Sequence, residues 1–343
     1  VTTTLRDAIA GAVLALALVL LVVFAGKGGS AEKELELLNV SYDPTRELWR
    51  ELNGLFIRHF EEKTGEHVII RQSHGGSGSQ ARAVMDGLEA DVVTLALWSD
   101  TDAVRKKGLI REGWEKQLPC NSLPYLSTIV FVVRKGNPKA VRDWPDLLRE
   151  GVQVITPSPK TSGNGKLSFL AAYGSVLHAG GDEAAAADYV RRLYRRVPVL
   201  DSGARGSTMT FAQKKMGDVH LTWENEAYLE VEEAKGDLEI VYPSASIRAE
   251  PYVAVVDTVA RRKGTLAVAE AYLRSLYTRE AQEVIAWHHY RPADPEVLAR
   301  HRDQLPDLPL FPVTTVARDW DDAQHKFFAE GALFDRIYAP KGK

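Results

Sequence analysis

The run Gln72-Ser73-His74-Gly75-Gly76-Ser77-Gly78-Ser79-Gln80 constrains the chain most, because it joins a strand-like segment, His67 to Arg71, directly to an amphipathic helix. A strand that feeds a helix through so short a turn is half of an alternating α/β unit. Ala81, Val84, Met85 and Leu88 recur at i, i+3, i+4 and i+7, and Ser77 with Gln80 matches a capping box. The spacing therefore predicts a helix from about Ser77. The first NH groups of such a helix lack intrahelical partners and lie at the positive end of its dipole. The glycines ahead of them remove side chains that would hold a ligand away from the backbone. The loop is a candidate oxyanion cradle.

Three more junctions have the same character. Ser41-Tyr42-Asp43-Pro44 follows the apolar run Leu37 to Val40, and Asp43 at N-cap with Pro44 at N1 predicts a helix through about Lys63. Thr156 to Gly165 follows Val152 to Ile155 and precedes a helical pattern through Leu167, Leu170, Ala171 and Gly174. Asp201 to Thr208 lies between the strand-like Val197 to Leu200 and a short helix carrying Phe211. Four such junctions point to one site assembled from several helix N-termini. Trp223, at the end of the strand-like Val219 to Thr222, adds an indole that can donate but not accept.

Apolar runs at Val68 to Ile70, Val92 to Leu97, Ile129 to Val133, Val152 to Ile155, Val197 to Leu200, Val219 to Trp223, Leu238 to Val241 and Val253 to Val256 alternate with helical patterns. This predicts α/β units with mostly parallel sheets. At 343 residues, 45% hydrophobic and 26% charged, the chain is long enough for two domains with their own cores. Arg6 precedes an uncharged stretch from Ala8 to Gly26, followed by the polar segment Lys27 to Ala31. Residues 1–31 read as an export signal or an uncleaved N-terminal membrane anchor. Turn signals near Lys135 to Pro138 and Tyr242 to Pro251 then divide the rest into a first lobe from 34–130, a second lobe from 131–248, and a return to the first lobe over 249–343 with C-terminal helices. A cleft between the lobes is the expected ligand position.

Net charge of −3 argues against a nucleic-acid partner and leaves anion capture to local geometry. Cys120 is the only cysteine, so there is no disulfide framework, and His288-His289 lack accompanying acids for a metal. No cofactor is expected. His74-Gly75-Gly76 with Ser77 allows an extracytoplasmic hydrolase as the reading from another class, although no Gly-x-Ser-x-Gly elbow is present. Glu224 and Glu226 would repel an anion and are not read as its ligands.

Taken together, Ser41 to Glu47, Gln72 to Gly78, Ile155 to Gly163, Asp201 to Thr208 and Trp223-Glu224-Asn225-Glu226 resemble the periplasmic sulfate/thiosulfate-binding proteins of ABC importers, over about Leu38 to Tyr338. The resemblance implies a two-lobed type II periplasmic-binding-protein fold, α/β, with the ligand cleft between lobes. It further implies a periplasmic, monomeric, non-enzymatic receptor that delivers sulfate or thiosulfate to membrane permease subunits. A receptor for another tetrahedral oxyanion, molybdate or phosphate, is the neighbouring alternative. By the same resemblance, the anion is held by the NH of Asp43, the NH and hydroxyl of Ser77, the NH groups of Gly163 and Asn164, the NH of Ala204 and the indole of Trp223. The chain departs from the family pattern at Gly163-Asn164-Gly165-Lys166, where Lys166 stands in place of an Arg.

Overall fold

In the computed structural model, which describes residues 35–338, two four-stranded sheets each carry helices on both faces. Strand β1 (Leu35–Tyr42) is central in the first sheet, with β2 (Val68–Gly75) and β3 (Val92–Leu95) parallel to it on either side. Its inward residues Leu37 and Val40 are fully buried on opposite faces, as a central parallel strand requires. Helix α1 (Arg46–Thr64) covers one face with Trp49, Leu52 and Phe56, and stops at Gly65, whose φ of 72° supplies the left-handed C-terminal turn. Helices α2 (Ser77–Met85) and α3 (Trp98–Lys106) cover the other face with Val84 and Val104.

The second sheet departs from the parallel expectation. Strand β4 (Ile129–Arg134) runs antiparallel to both its neighbours, β6 (Val219–Trp223) and β7 (Leu238–Val241), and only β5 (Val154–Ile155) pairs in parallel, with β6. In the first sheet, β8 (Tyr252–Val255) is likewise antiparallel, against β3. Both exceptions are strands reached directly from the other lobe, so no helical crossover turns them parallel. The two crossing segments touch at an antiparallel bridge between Ser127 and Ala249. Val197 to Leu200 forms no strand, since Pro198 has no NH for a ladder.

The lobe boundaries also shift at the C-terminal end. Tyr272, Leu273 and Ile285 pack in one core with Leu37, Trp49 and Val92. Beyond them, Phe327 packs against Phe169 and Tyr173 at ring separations of 5.6 and 4.9 Å, and Phe334 against Tyr194 at 5.3 Å. Residues from Phe327 to Tyr338 therefore pack with the second lobe. Helix α4 (Gly163–His178) supplies the aromatic face that attracts them. Residues 1–31 lie outside the described residues, and among those described no helix is long and apolar enough to cross a membrane.

Candidate functional site

Each junction singled out in the sequence starts a helix, but two do so by other means than expected. Asp43 is not an N-cap: it opens a short 3₁₀ turn, Asp43–Thr45, and its carboxylate takes Arg46 at 3.3 Å. Ser77 and Gln80 form no capping box. Ser77 Oγ donates to Asp100 at 2.6 Å and accepts from the Ala96 NH at 3.1 Å, while the Gln80 amide donates to the Ser41 carbonyl at 3.2 Å and to Ser73 Oγ at 3.1 Å. Tertiary partners outbid the local cap, and the leading NH groups of α2 stay free of intrahelical acceptors. Helix α4 is capped by Ser162, whose Oγ accepts from the Gly165 NH at 3.4 Å. Helix α5 (Ala204–Thr208) follows Gly203 and runs on into a wider turn over Met209–Gln213.

Trp223 and the starts of α2 and α4 meet in one place. A methyl added to Gly163 would lie 2.5 Å from Ala96 Cβ, 3.4 Å from Ser77 Cβ and 3.8 Å from Cζ2 of Trp223. One added to Gly76 would lie 2.5 Å from the Thr161 carbonyl and 3.3 Å from that of Ser202, and one on Gly203 would press on the Asp43 carboxylate. Asp43, Gly76, Ser77 and Ala96 come from the first lobe, and Thr161, Gly163, Ser202, Gly203 and Trp223 from the second, so the lobes are closed on each other. Tyr42 of the first lobe packs its ring 5.3 Å from that of Trp223. Ser77, Ser162, Asn164, Ala204 and Trp223 are all buried.

The decisive atom is Trp223 Nε1, fully buried with no acceptor among the described residues. Leaving a buried donor unsatisfied costs about 1–3 kcal/mol. The indoles of Trp49, Trp114 and Trp320 are also without acceptors among the described residues, and what distinguishes Trp223 is its place beside Gly163 and Ser77, where the helix starts meet. Asn164 Nδ2 is a second buried donor without a partner, its Oδ1 being held by Ser168 Oγ at 2.9 Å. Sequence reasoning missed Ser162. Its position directly before Gly163, as a serine at an N-cap, was the available signal. With its Oγ accepting from Gly165, Ser162 keeps its own proton for an acceptor, whereas the Ser77 proton goes to Asp100.

Charge is present nearby but paired. Lys166 reaches Asp100 at 2.9 Å, both side chains under a tenth exposed, and this pair bridges the lobes. Arg205 bridges them again, to Glu47 at 2.7 Å, and lies 3.2 Å from Glu226. Burial pushes the Glu226 carboxyl up to about 8, with Arg205 opposing. Arg205 leans toward Glu47, and Glu226 Oε1 is left without a partner. Burial also raises Glu224, despite a bidentate contact with Arg291 at 2.8 Å on both oxygens. His74 is bonded to Gln72 and to the Tyr42 carbonyl, not to Ser77, so the serine–histidine contact a hydrolase needs is missing. His288 pairs with Glu51 and His289 stacks on Tyr228, and among the described residues no cluster suits a metal.

A profile of bacterial extracellular solute-binding proteins matches residues 52–291. The chain belongs to that family. Among curated relatives of this solute-binding protein, the sulfate-binding protein of Escherichia coli K12 is 54% identical over 307 residues, which span 89% of this chain and 93% of that protein. The thiosulfate-binding protein of Pseudomonas aeruginosa is 49% identical, spanning 91% of this chain and 95% of its own length. A solved structure, the sulfate-binding protein SubI from Mycobacterium tuberculosis H37Rv, aligns with a TM-score of 0.78 at 32% identity, over 86% of this chain and 99% of that one. The periplasmic binding protein AfuA from Actinobacillus pleuropneumoniae, at 17% identity and a TM-score of 0.59, shares the fold. The architecture is the two-lobed type II periplasmic fold, with its cleft between the lobes.

Proposed function

We propose that this solute-binding protein captures sulfate or thiosulfate outside the cytoplasm and hands it to an ABC permease, working as a monomer without catalysis. The observation that carries this reading is the buried, unpartnered indole NH of Trp223 at the meeting point of the helix starts. The sulfate- and thiosulfate-binding names of relatives covering most of the chain support it.

The ligand set is the backbone NH groups of Asp43, Ser77, Gly163, Asn164 and Ala204 with the Trp223 indole. The hydroxyl comes from Ser162 in place of Ser77. Removing a doubly charged ion from water costs on the order of tens of kcal/mol if nothing compensates. Charge-assisted hydrogen bonds contribute roughly 1.5–3 kcal/mol each, and converging helix N-termini add to them, so about seven donors hold a dianion without a direct salt bridge. A ring of donors also selects. Free phosphate has three ionisations and keeps at least one proton at neutral pH, which needs an acceptor, while sulfate carries none. Calorimetric titration with sulfate, thiosulfate, phosphate and molybdate tests the proposal. One-to-one binding of the first two, with phosphate much weaker, is expected; tighter phosphate or molybdate binding would refute it.

A further inference from the structure

Behind α5 lies a polar group that the anion site does not use. Ser207 on α5, His220 on β6 and Glu230 on helix α6 (Glu224–Glu233) are each at most 1% exposed. His220 Nε2 is 3.0 Å from Ser207 Oγ, and its Nδ1 is 2.8 Å from Glu230 Oε2. Ser207 Oγ donates to the Ala204 carbonyl at 2.8 Å. The outline is that of a serine–histidine–acid triad, but its burial leaves no approach for a substrate, and the serine proton is directed at a carbonyl.

The placement of protons follows from those contacts. Ser207 Oγ has one proton for two neighbours, the Ala204 carbonyl at 2.8 Å and His220 Nε2 at 3.0 Å; with it on the nearer carbonyl, the serine oxygen accepts from His220 and Nε2 carries hydrogen. The short contact between Nδ1 and Glu230 needs one more proton between its two atoms. The pair is therefore an imidazolium facing a carboxylate, or an imidazole accepting from a carboxylic acid. Either way, donation runs in one direction, from His220 through Ser207 into the Ala204 carbonyl, and chains of this kind polarise and stiffen. The Ala204 carbonyl shares its peptide with the NH of Arg205, which follows the Ala204 NH at the start of the helix. The strand that carries His220 ends at Trp223, so one rigid element sets both the relay and the indole donor. The ring of Phe211 closes over His220 at 5.5 Å, and the guanidinium of Arg134 covers Phe211 at 3.8 Å. Buried ionisable groups are poor devices for stability, because apolar residues of similar volume serve as well or better.

We propose that His220, anchored by Glu230, is a positioning residue for the anion: through Ser207 it fixes and polarises the first turn of α5 so that the Ala204 NH stays aimed into the cleft. This rests on the reading of Ala204 as a ligand. The test is calorimetric titration of sulfate into the wild type, Ser207→Ala, His220→Gln and the double variant, alongside melting curves of the unliganded proteins and nitrogen-15 spectra of the His220 ring. Each single change should weaken binding about tenfold, the worth of one hydrogen bond. The double variant should be no weaker than the worse single, since both break one chain. The His220 ring resonances should shift when sulfate is added, which a role in packing alone would not produce. Unchanged affinity in Ser207→Ala, or losses that add in full, overturns the relay. If His220→Gln fails to fold, Ser207→Ala decides alone, because it deletes a single oxygen. A wild type that binds neither sulfate nor thiosulfate refutes the functional reading itself, whereas a wild type that binds and a Ser207→Ala variant that matches it refute only the relay.

Discussion

The two lobes prepare for the anion in different ways. In the first, the polar side chains at the site are already engaged: Ser77 with Asp100 and Ala96, Gln80 with Ser41 and Ser73, and Asp43 with Arg46. In the second, Trp223 Nε1 and Asn164 Nδ2 are buried without acceptors, and the Ser162 proton is uncommitted. In the proposed site the second lobe therefore supplies the side-chain donors. In the same proposal the first lobe is a lid that offers mainly backbone NH groups, and Lys166–Asp100 and Arg205–Glu47 join it to the second lobe. A lid need only be well placed, while a seat must leave donors unsatisfied until the ligand arrives.

The largest expected effect breaks the lid's main contact. Lys166→Met leaves Asp100 buried and unpaired in the closed form, a loss of about 3 kcal/mol, at the low end for breaking a buried pair. Opening the lobes rehydrates Asp100, so the loss should appear as roughly hundredfold weaker sulfate binding with the melting temperature of the unliganded protein nearly unchanged. A collapse of the unliganded melting temperature would instead make the pair part of the fold.

Trp223→Phe tests the seat. It removes one donor while keeping most of the ring, and should weaken binding by about 2 kcal/mol, within the range for hydrogen bonds to charged groups. The unliganded protein should be no less stable, because an unsatisfied buried donor is lost. Full affinity in this variant would take Trp223 out of the site.

Closure itself is sharpened by Gly163→Ala. The added methyl would lie 2.5 Å from Ala96 Cβ across the cleft, an overlap that should cost about 1–2 kcal/mol of closed state. Small-angle scattering should show sulfate shrinking the wild type, with a raised melting temperature, and shrinking this variant only at higher sulfate. Equal compaction at equal sulfate would show that the two lobes do not meet there.

The smallest effect concerns Glu226, beside Arg205. Its carboxyl is at about 8 when folded, against an ordinary 4.5. Between those values the folded protein holds a proton that the unfolded chain has lost. Its contribution to stability is therefore complete below about pH 4.5 and disappears as pH rises through about 8. Glu226→Gln should flatten the fall in melting temperature over that window, and a variant with the wild-type slope would assign the proton elsewhere.

The α/β class and the helix starts around the candidate site were legible because they rest on local rules. Apolar periodicity marks the elements, and Gly, Ser, Asp and Pro mark the places where a strand turns into a helix. Local signals marked only the junctions; Asp43, Ser77, Gly163, Asn164, Ala204 and Trp223 were assigned as ligands through the family resemblance, at or beside those junctions. What local rules could not supply was the choice among partners. Ser77 and Gln80 satisfy a capping pattern, yet Ser77 pairs with Asp100 and Ala96 and Gln80 with Ser41 and Ser73. Ser162, an ordinary N-cap by pattern, becomes the hydroxyl with a proton to offer only because Asp100 takes the proton of Ser77.

The sequence by itself determined where helices begin and which short polar loops precede them, because hydrogen-bonding needs at a helix start are met or left open within a few residues. Only the tertiary structure decided that β4 and β8 run antiparallel, that Phe327 and Phe334 pack on the second lobe, and that Trp223 keeps its donor free. Those outcomes depend on which distant surfaces bury one another and which side chain reaches an acceptor first. Spacing along the chain does not encode that competition.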